Sequence, residues 1–89
     1  MENDQTEIAG KIIGCYDEKV RHLIESVEVN LDEKNATIIC DTSIPGNKSQ
    51  FGRLIGRKGK IVKDVTENIR NEFGPEWTLK VIEKKNFDV

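Results

Sequence analysis

The chain has 89 residues and a mass of 10.1 kDa, which fits one domain and excludes a multi-domain enzyme built around an enclosed cavity. Hydrophobic residues are 36% and charged residues 34%; that mixture is polar yet foldable, and no apolar run approaches the roughly 18 residues of a membrane span. The net charge of −2 and pI near 5.4 speak, taken whole, against a nucleic-acid binder.

The opening Met1-Glu2-Asn3-Asp4-Gln5 is acidic and lacks the basic-then-apolar order of a secretory leader. Residues 1–5 therefore read as a tail, followed by one domain over 6–83 and a second tail over 84–89. From Thr6 to about Ile24 the pattern is helical: Ile8 and Ile12 lie four apart, and Val20, Leu23, Ile24 and Val27 continue at helical spacing. Gly10 and Gly14 weaken the first half, and Asp17 is placed to cap a second helix. One broken helix and two short ones both fit.

Ser26 to Leu31 alternates, with Val27, Val29 and Leu31 on one face, as in a half-buried strand. Polar Asp32-Glu33-Lys34-Asn35 turns the chain into a second strand, Ala36 to Cys40, and so short a link predicts an antiparallel hairpin. Ile38 and Ile39 point to opposite faces, so this strand is expected to be central and covered on both sides. After a break at Pro45-Gly46-Asn47, a short helix is expected over roughly Ser49 to Ile55. A longer one follows from Lys60 to Phe73, with an apolar stripe of Val62, Val65, Ile69 and Phe73. Gly74-Pro75 ends it, and Trp77 to Ile82 alternates as a last strand. The crossover between the second and third strands allows parallel pairing and is expected to be right-handed. The predicted fold is α+β, in the order α-β-β-α-α-β, with a three-stranded mixed sheet covered by helices.

Charge is segregated along this order. Residues 48–63 contain Lys48, Arg53, Arg57, Lys58, Lys60 and Lys63 without one Asp or Glu, inside a chain whose other residues carry a net −8. A solvated helix face usually mixes both signs; a block of one sign focuses a positive field on one place. Within the block, Gly56-Arg57-Lys58-Gly59 joins two helices. Its glycines admit positive φ or a close backbone approach, and the next helix opens with amides near Lys60 and Ile61 that suit an anion.

Ile55, Gly56, Gly59, Val62 and Val65 fall in the pattern Ile-Gly-x-x-Gly-x-x-Val-x-x-Val, which resembles the signature of the K-homology (KH) domain. The element order is similar to the bacterial-type (type II) arrangement of that family, over roughly residues 6–83. The resemblance implies a single-stranded RNA-binding protein whose GxxG loop grips the phosphate backbone. Gly56 and Gly59 would be the loop glycines, Arg57 and Lys58 the phosphate-facing pair, and Ile55 and Val62 the apolar floor under the bases. Gly52 would keep the first helix thin where nucleotides pass, with Arg53 and Lys63 flanking the groove, Lys60 in the RNA-binding set just beyond the tip of the turn, and the edge of the last strand, Leu79 to Ile82, meeting bases. Low sequence specificity and modest affinity are expected of one small groove on an acidic body. Two other roles fit the same resemblance: an assembly module, as a homodimer or a partner of a larger RNA-binding protein, and single-stranded DNA binding.

Other residues point elsewhere. Trp77 reads as a sheet anchor rather than a stacking platform, Phe51 and Phe73 as core, His22 as exposed, Cys40 as a small buried hydrophobe, and Lys84-Lys85 as a solvated end. Cys15 and Cys40, with no CxxC, form neither a disulfide framework nor a zinc site, and a reduced, cytoplasmic protein without cofactor, metal or membrane partner is expected. Leu54 breaks both the P-loop and the dinucleotide fingerprints. With one histidine, no catalytic triad is available, and no enzyme is expected.

Overall fold

The structure, a computed structural model, describes residues 4–42, 44 and 46–84, and Lys48 by its backbone alone. Pro45 in the expected break, and the tail from Lys85 onward, lie outside the described residues. Helix α1 spans Asp4–Cys15, β1 Ile24–Asn30, β2 Asn35–Cys40, α2 Asn47–Gln50, α3 Gly52–Ile55, α4 Lys60–Phe73 and β3 Thr78–Glu83; 3-10 turns occupy Glu18–Leu23 and Arg57–Gly59. The molecule is an α+β domain with a three-stranded mixed sheet: β1 pairs antiparallel with β2, and β3 parallel with β2.

The first helical stretch divides in two. Asp17 is the reason, because its carboxylate accepts the Lys19 N–H at 2.9 Å and starts the 3-10 turn. Helix α1 begins earlier than the pattern suggested and takes in Asp4 and Gln5, whose amide donates to the Val29 carbonyl on β1 at 3.0 Å. The short helix expected over Ser49 to Ile55 is two single turns. Phe51 between them keeps right-handed helical angles (φ −52°, ψ −38°), so the path is helical throughout.

One face of the sheet is buried. Ala36, Ile38 and Cys40 on β2 pack with Ile8 and Ile12 of α1, Tyr16 just after it, Leu23 of the 3-10 turn, Leu54 of α3, Val65 and Ile69 of α4, and Trp77. Helix α1 lies on β1, α4 lies on β3, and the two helices touch each other. Phe51 and Phe73 are half-buried against this core. Strand β2 is central but, against expectation, is covered on one side only. Ile38 is buried, but Ile39 on the opposite face is half-buried, its neighbour Ile82 is exposed, and the next row across the strands is Glu28, Thr37 and Lys80. Both packed helices lie on the Ile38 side because the connections run there, so the alternation along β2 reads inside-outside rather than buried throughout.

Exposed ion pairs tie the periphery: Lys11 to Glu72, Lys34 to Glu76 and Lys84 to Glu25. Lys84 also continues the parallel pairing, its N–H donating to the Cys40 carbonyl at 2.8 Å. Its ammonium is therefore engaged with the body of the protein and is not a free end.

Candidate functional site

The turn between α3 and α4 is made by two glycines for two different reasons. Gly56 donates its N–H to the Gly52 carbonyl at 2.7 Å and turns to φ 81°, ψ 171°, a region that is essentially glycine's alone. A Cβ there would stand 2.6 Å from Ile61 Cγ1 and 2.8 Å from the Ile61 nitrogen, so α3 ends directly against the first turn of α4. Gly59, at φ 75°, ψ 16°, has room for a Cβ, 3.8 Å from Val62 Cγ1, and is needed for its left-handed backbone as the cap of α4. Between them Lys58 is also left-handed, at φ 56°, ψ 28°. That costs a lysine about 1–2 kcal/mol relative to ordinary backbone, and such strain clusters at functional sites.

The amides and the cations divide differently from the expectation. No side chain caps α4, but the Lys60 N–H donates to the Arg57 carbonyl and is used inside the turn. The Lys60 amide is therefore not open to an anion, and the exposed charges of the block are those of side chains. Arg53, Arg57, Lys58, Lys60 and Lys63 are all exposed, and none makes an ion pair or side-chain hydrogen bond among the described residues. Asp64 and Glu67 stand one turn beyond Lys60 and Lys63, spaced for helical pairing, yet neither pairs with them. The Lys48 side chain lies outside the described set.

Helix geometry separates residues that the sequence groups together. Leu54 is buried, and at about 100° per residue Arg53 and Ile55 fall on opposite flanks of it, with Gly52 on the outer ridge. On α4 the buried seam is Val65 and Ile69, and Val62 and Ile61 fall on opposite sides of it. Ile55 and Val62 are half-buried, and the space over Gly52 is open. Arg53, expected beside them, looks instead onto a second, largely apolar hollow of about 430 Å³, lined with Cys15, Tyr16, Asp17, Val20 and Ile61. Ile61, 38% exposed, was not among the expected site residues; an isoleucine at a helix start reads as core. On the last strand, Leu79 and Val81 are half-buried against the core while Lys80 and Ile82 are exposed on the open face.

Tyr16 holds this architecture together and has no sequence signal beyond helical spacing. It is 2% exposed, and its hydroxyl donates to the Leu54 carbonyl at 2.9 Å, pinning α3 to the residue that follows α1. Arg21 closes the end of α1, its Nε on the Tyr16 carbonyl at 3.0 Å. Burial pushes the Tyr16 phenol from 10.0 up to about 12. The fold favours the neutral ring, so this contribution to stability is complete below pH 10 and is lost as pH rises towards 12. As the chain has one tyrosine, its phenolate absorbance reads this group alone. The native protein should titrate well above the unfolded one; a midpoint at 10.0 in folded protein would contradict the buried bond. Tyr16→Phe leaves the Leu54 carbonyl without its partner and should cost about 1–2 kcal/mol in urea unfolding.

The chain matches no family model, no curated protein and no solved structure. The remaining candidates are placed by geometry. Trp77 is buried, and its carbonyl accepts the Arg70 Nε at 2.6 Å, which makes it an anchor between α4 and β3. His22 is exposed, Cys15 and Cys40 are free thiols, and Cys40 is buried. Among the described residues no cluster of three or more His, Cys, Asp or Glu is placed to hold a metal, and no helix is long and apolar enough to cross a membrane.

Proposed function

We propose that this protein is a single-stranded RNA-binding module of the type II KH kind, acting by binding rather than catalysis. The observation that carries the reading is the turn at Gly56–Gly59. Two glycines with positive φ bracket Arg57 and a strained Lys58, and the exposed cations Arg53, Arg57, Lys58, Lys60 and Lys63 have no acidic partners among the described residues. Ions held this way are free to exchange a hydration shell for phosphate oxygens. The order α-β-β-α-α-β and the mixed sheet support the same reading, as does the open space over Gly52, where a backbone can pass close to the helix.

In this reading the turn holds about three phosphates, and the bases face the flank formed by Ile55 and Val62. Affinity then comes from counterion release, about 0.7 per phosphate for a single strand. Anisotropy of a short labelled single-stranded RNA, measured at several salt concentrations, should show log K falling by roughly 2 per tenfold rise in salt. Binding with no salt dependence, or none at low salt, would overturn the proposal.

A further inference from the structure

The hollow on the Arg53 flank is a second compartment beside the same turn. We infer that it receives a nucleobase of the bound strand, so that the strand crosses over the turn instead of keeping to the Ile55 flank. The inference rests on the RNA-binding reading above and goes beyond it by assigning the N-terminal elements a role in the site.

Three features of the hollow suit a base. Its walls are chiefly carbon, from Cys15, Val20, Tyr16 and Ile61, and its volume of about 430 Å³ falls within the range of small-molecule sites. Apolar surface repels a phosphate and accepts the face of a heterocycle. Its rim carries one cation, Arg53, and one carboxylate, Asp17; a guanidinium covers an aromatic face and a carboxylate accepts from a ring or exocyclic N–H. The walls are also held in place before any ligand arrives. Tyr16 is bonded to Leu54, Asp17 to the Lys19 amide, and Ile61 stands against Gly56.

Continuity with the cations supplies the reason for a strand to be there. Ile61 follows Lys60 directly, and Arg53 is one turn before Arg57 on the same acid-free block. A phosphate held at the tip by Arg57 and Lys58 thus has an apolar compartment on each side of the ridge, at Ile55 with Val62 and at Ile61 with Val20. Adjacent nucleotides of one strand can fill both.

The test is an amide NMR titration of the full chain with hexacytidine RNA and with a ribose-phosphate hexamer lacking bases. Hexacytidine should shift the amides of Tyr16, Asp17 and Val20 together with those of residues 52–63, while the baseless chain should shift only the second group. Val20→Glu, which places a carboxylate in the hollow, should weaken hexacytidine about tenfold, within the range for losing one base contact, and keep the salt slope. Arg53→Glu on the exposed rim should abolish the shifts at Tyr16 and Val20 even if Val20→Glu folds poorly. Shifts confined to residues 52–63 would overturn the base site and leave RNA binding standing. Silence throughout would overturn both. Changes at Tyr16 and Val20 that follow protein concentration and not RNA would mark a contact between copies of the chain and overturn the assignment.

Discussion

Gly56→Ala is expected to destabilise the protein by about 2–4 kcal/mol, whereas Gly52→Ala, one turn earlier, is expected to stabilise it by about 0.5–1 kcal/mol. Two independent costs meet at Gly56. Its φ of 81° with ψ of 171° is closed to an L side chain, and the new methyl would sit 2.6 Å from Ile61 Cγ1 and 2.8 Å from a backbone nitrogen. The side-chain clash can relax, but the nitrogen belongs to the first turn of α4 and moves only with the helix. Gly52 has neither problem, because no atom lies within 4 Å of its missing Cβ and its φ is ordinary for a helix. Alanine there gains helix propensity and restricts the unfolded chain. For a domain of this size the melting temperature should move about 4–8 °C per kcal/mol, so thermal unfolding separates the two variants clearly. A Gly56→Ala protein as stable as the parent would mean that the turn is not packed against α4. The RNA readout should not follow stability. Gly52→Ala puts a methyl on the open ridge and is expected to weaken RNA binding while the fold gains.

Much of this architecture is legible in the sequence because short-range rules coincide with the tertiary arrangement. The apolar stripe of Val65 and Ile69, the Gly74-Pro75 stop and the alternation of β1 and β2 each follow from a local period, and the packing agrees with them. The glycines of the turn are legible too, since nothing but backbone geometry calls for a pair at that spacing. What is lost is which flank a residue faces. Arg53 and Ile55 are two apart on a one-turn helix, and only the burial of Leu54 between them reveals that they face different flanks. The same holds for Ile39. An isoleucine next to a buried isoleucine suggests a strand covered twice, but coverage depends on where α1 and α4 lie, which no local pattern encodes. Tyr16 is the extreme case. Its importance comes from a hydrogen bond to a residue 38 positions away, and sequence spacing reports none of it.

Replacing both Arg57 and Lys58 with Asp is expected to weaken single-stranded RNA by at least about a hundredfold at low salt, with the melting temperature within a few degrees of the parent. The fold should tolerate it, because both side chains are exposed and neither has an ion-pair or hydrogen-bond partner among the described residues. Position 58 is left-handed, and aspartate accepts that backbone better than most residues, so one source of strain is eased even as charge is reversed. Binding responds in the opposite direction. The block between residues 48 and 63 falls from six positive charges to a net two, and the negative pair stands at the tip where phosphates are proposed to sit. Repulsion adds to the lost attraction, which is why reversal is a sharper test than neutralisation. Lys34→Ala is the control. That lysine is already paired with Glu76 at 2.6 Å, far along the chain from the turn, and removing it should leave RNA affinity within about twofold, as for an exposed pair of little energetic weight. A loss in the control in proportion to charge, one unit removed against four in the double variant, would show that net charge alone governs binding and would remove the turn from the site. A loss confined to the double variant, with unchanged melting, ties affinity to those two positions.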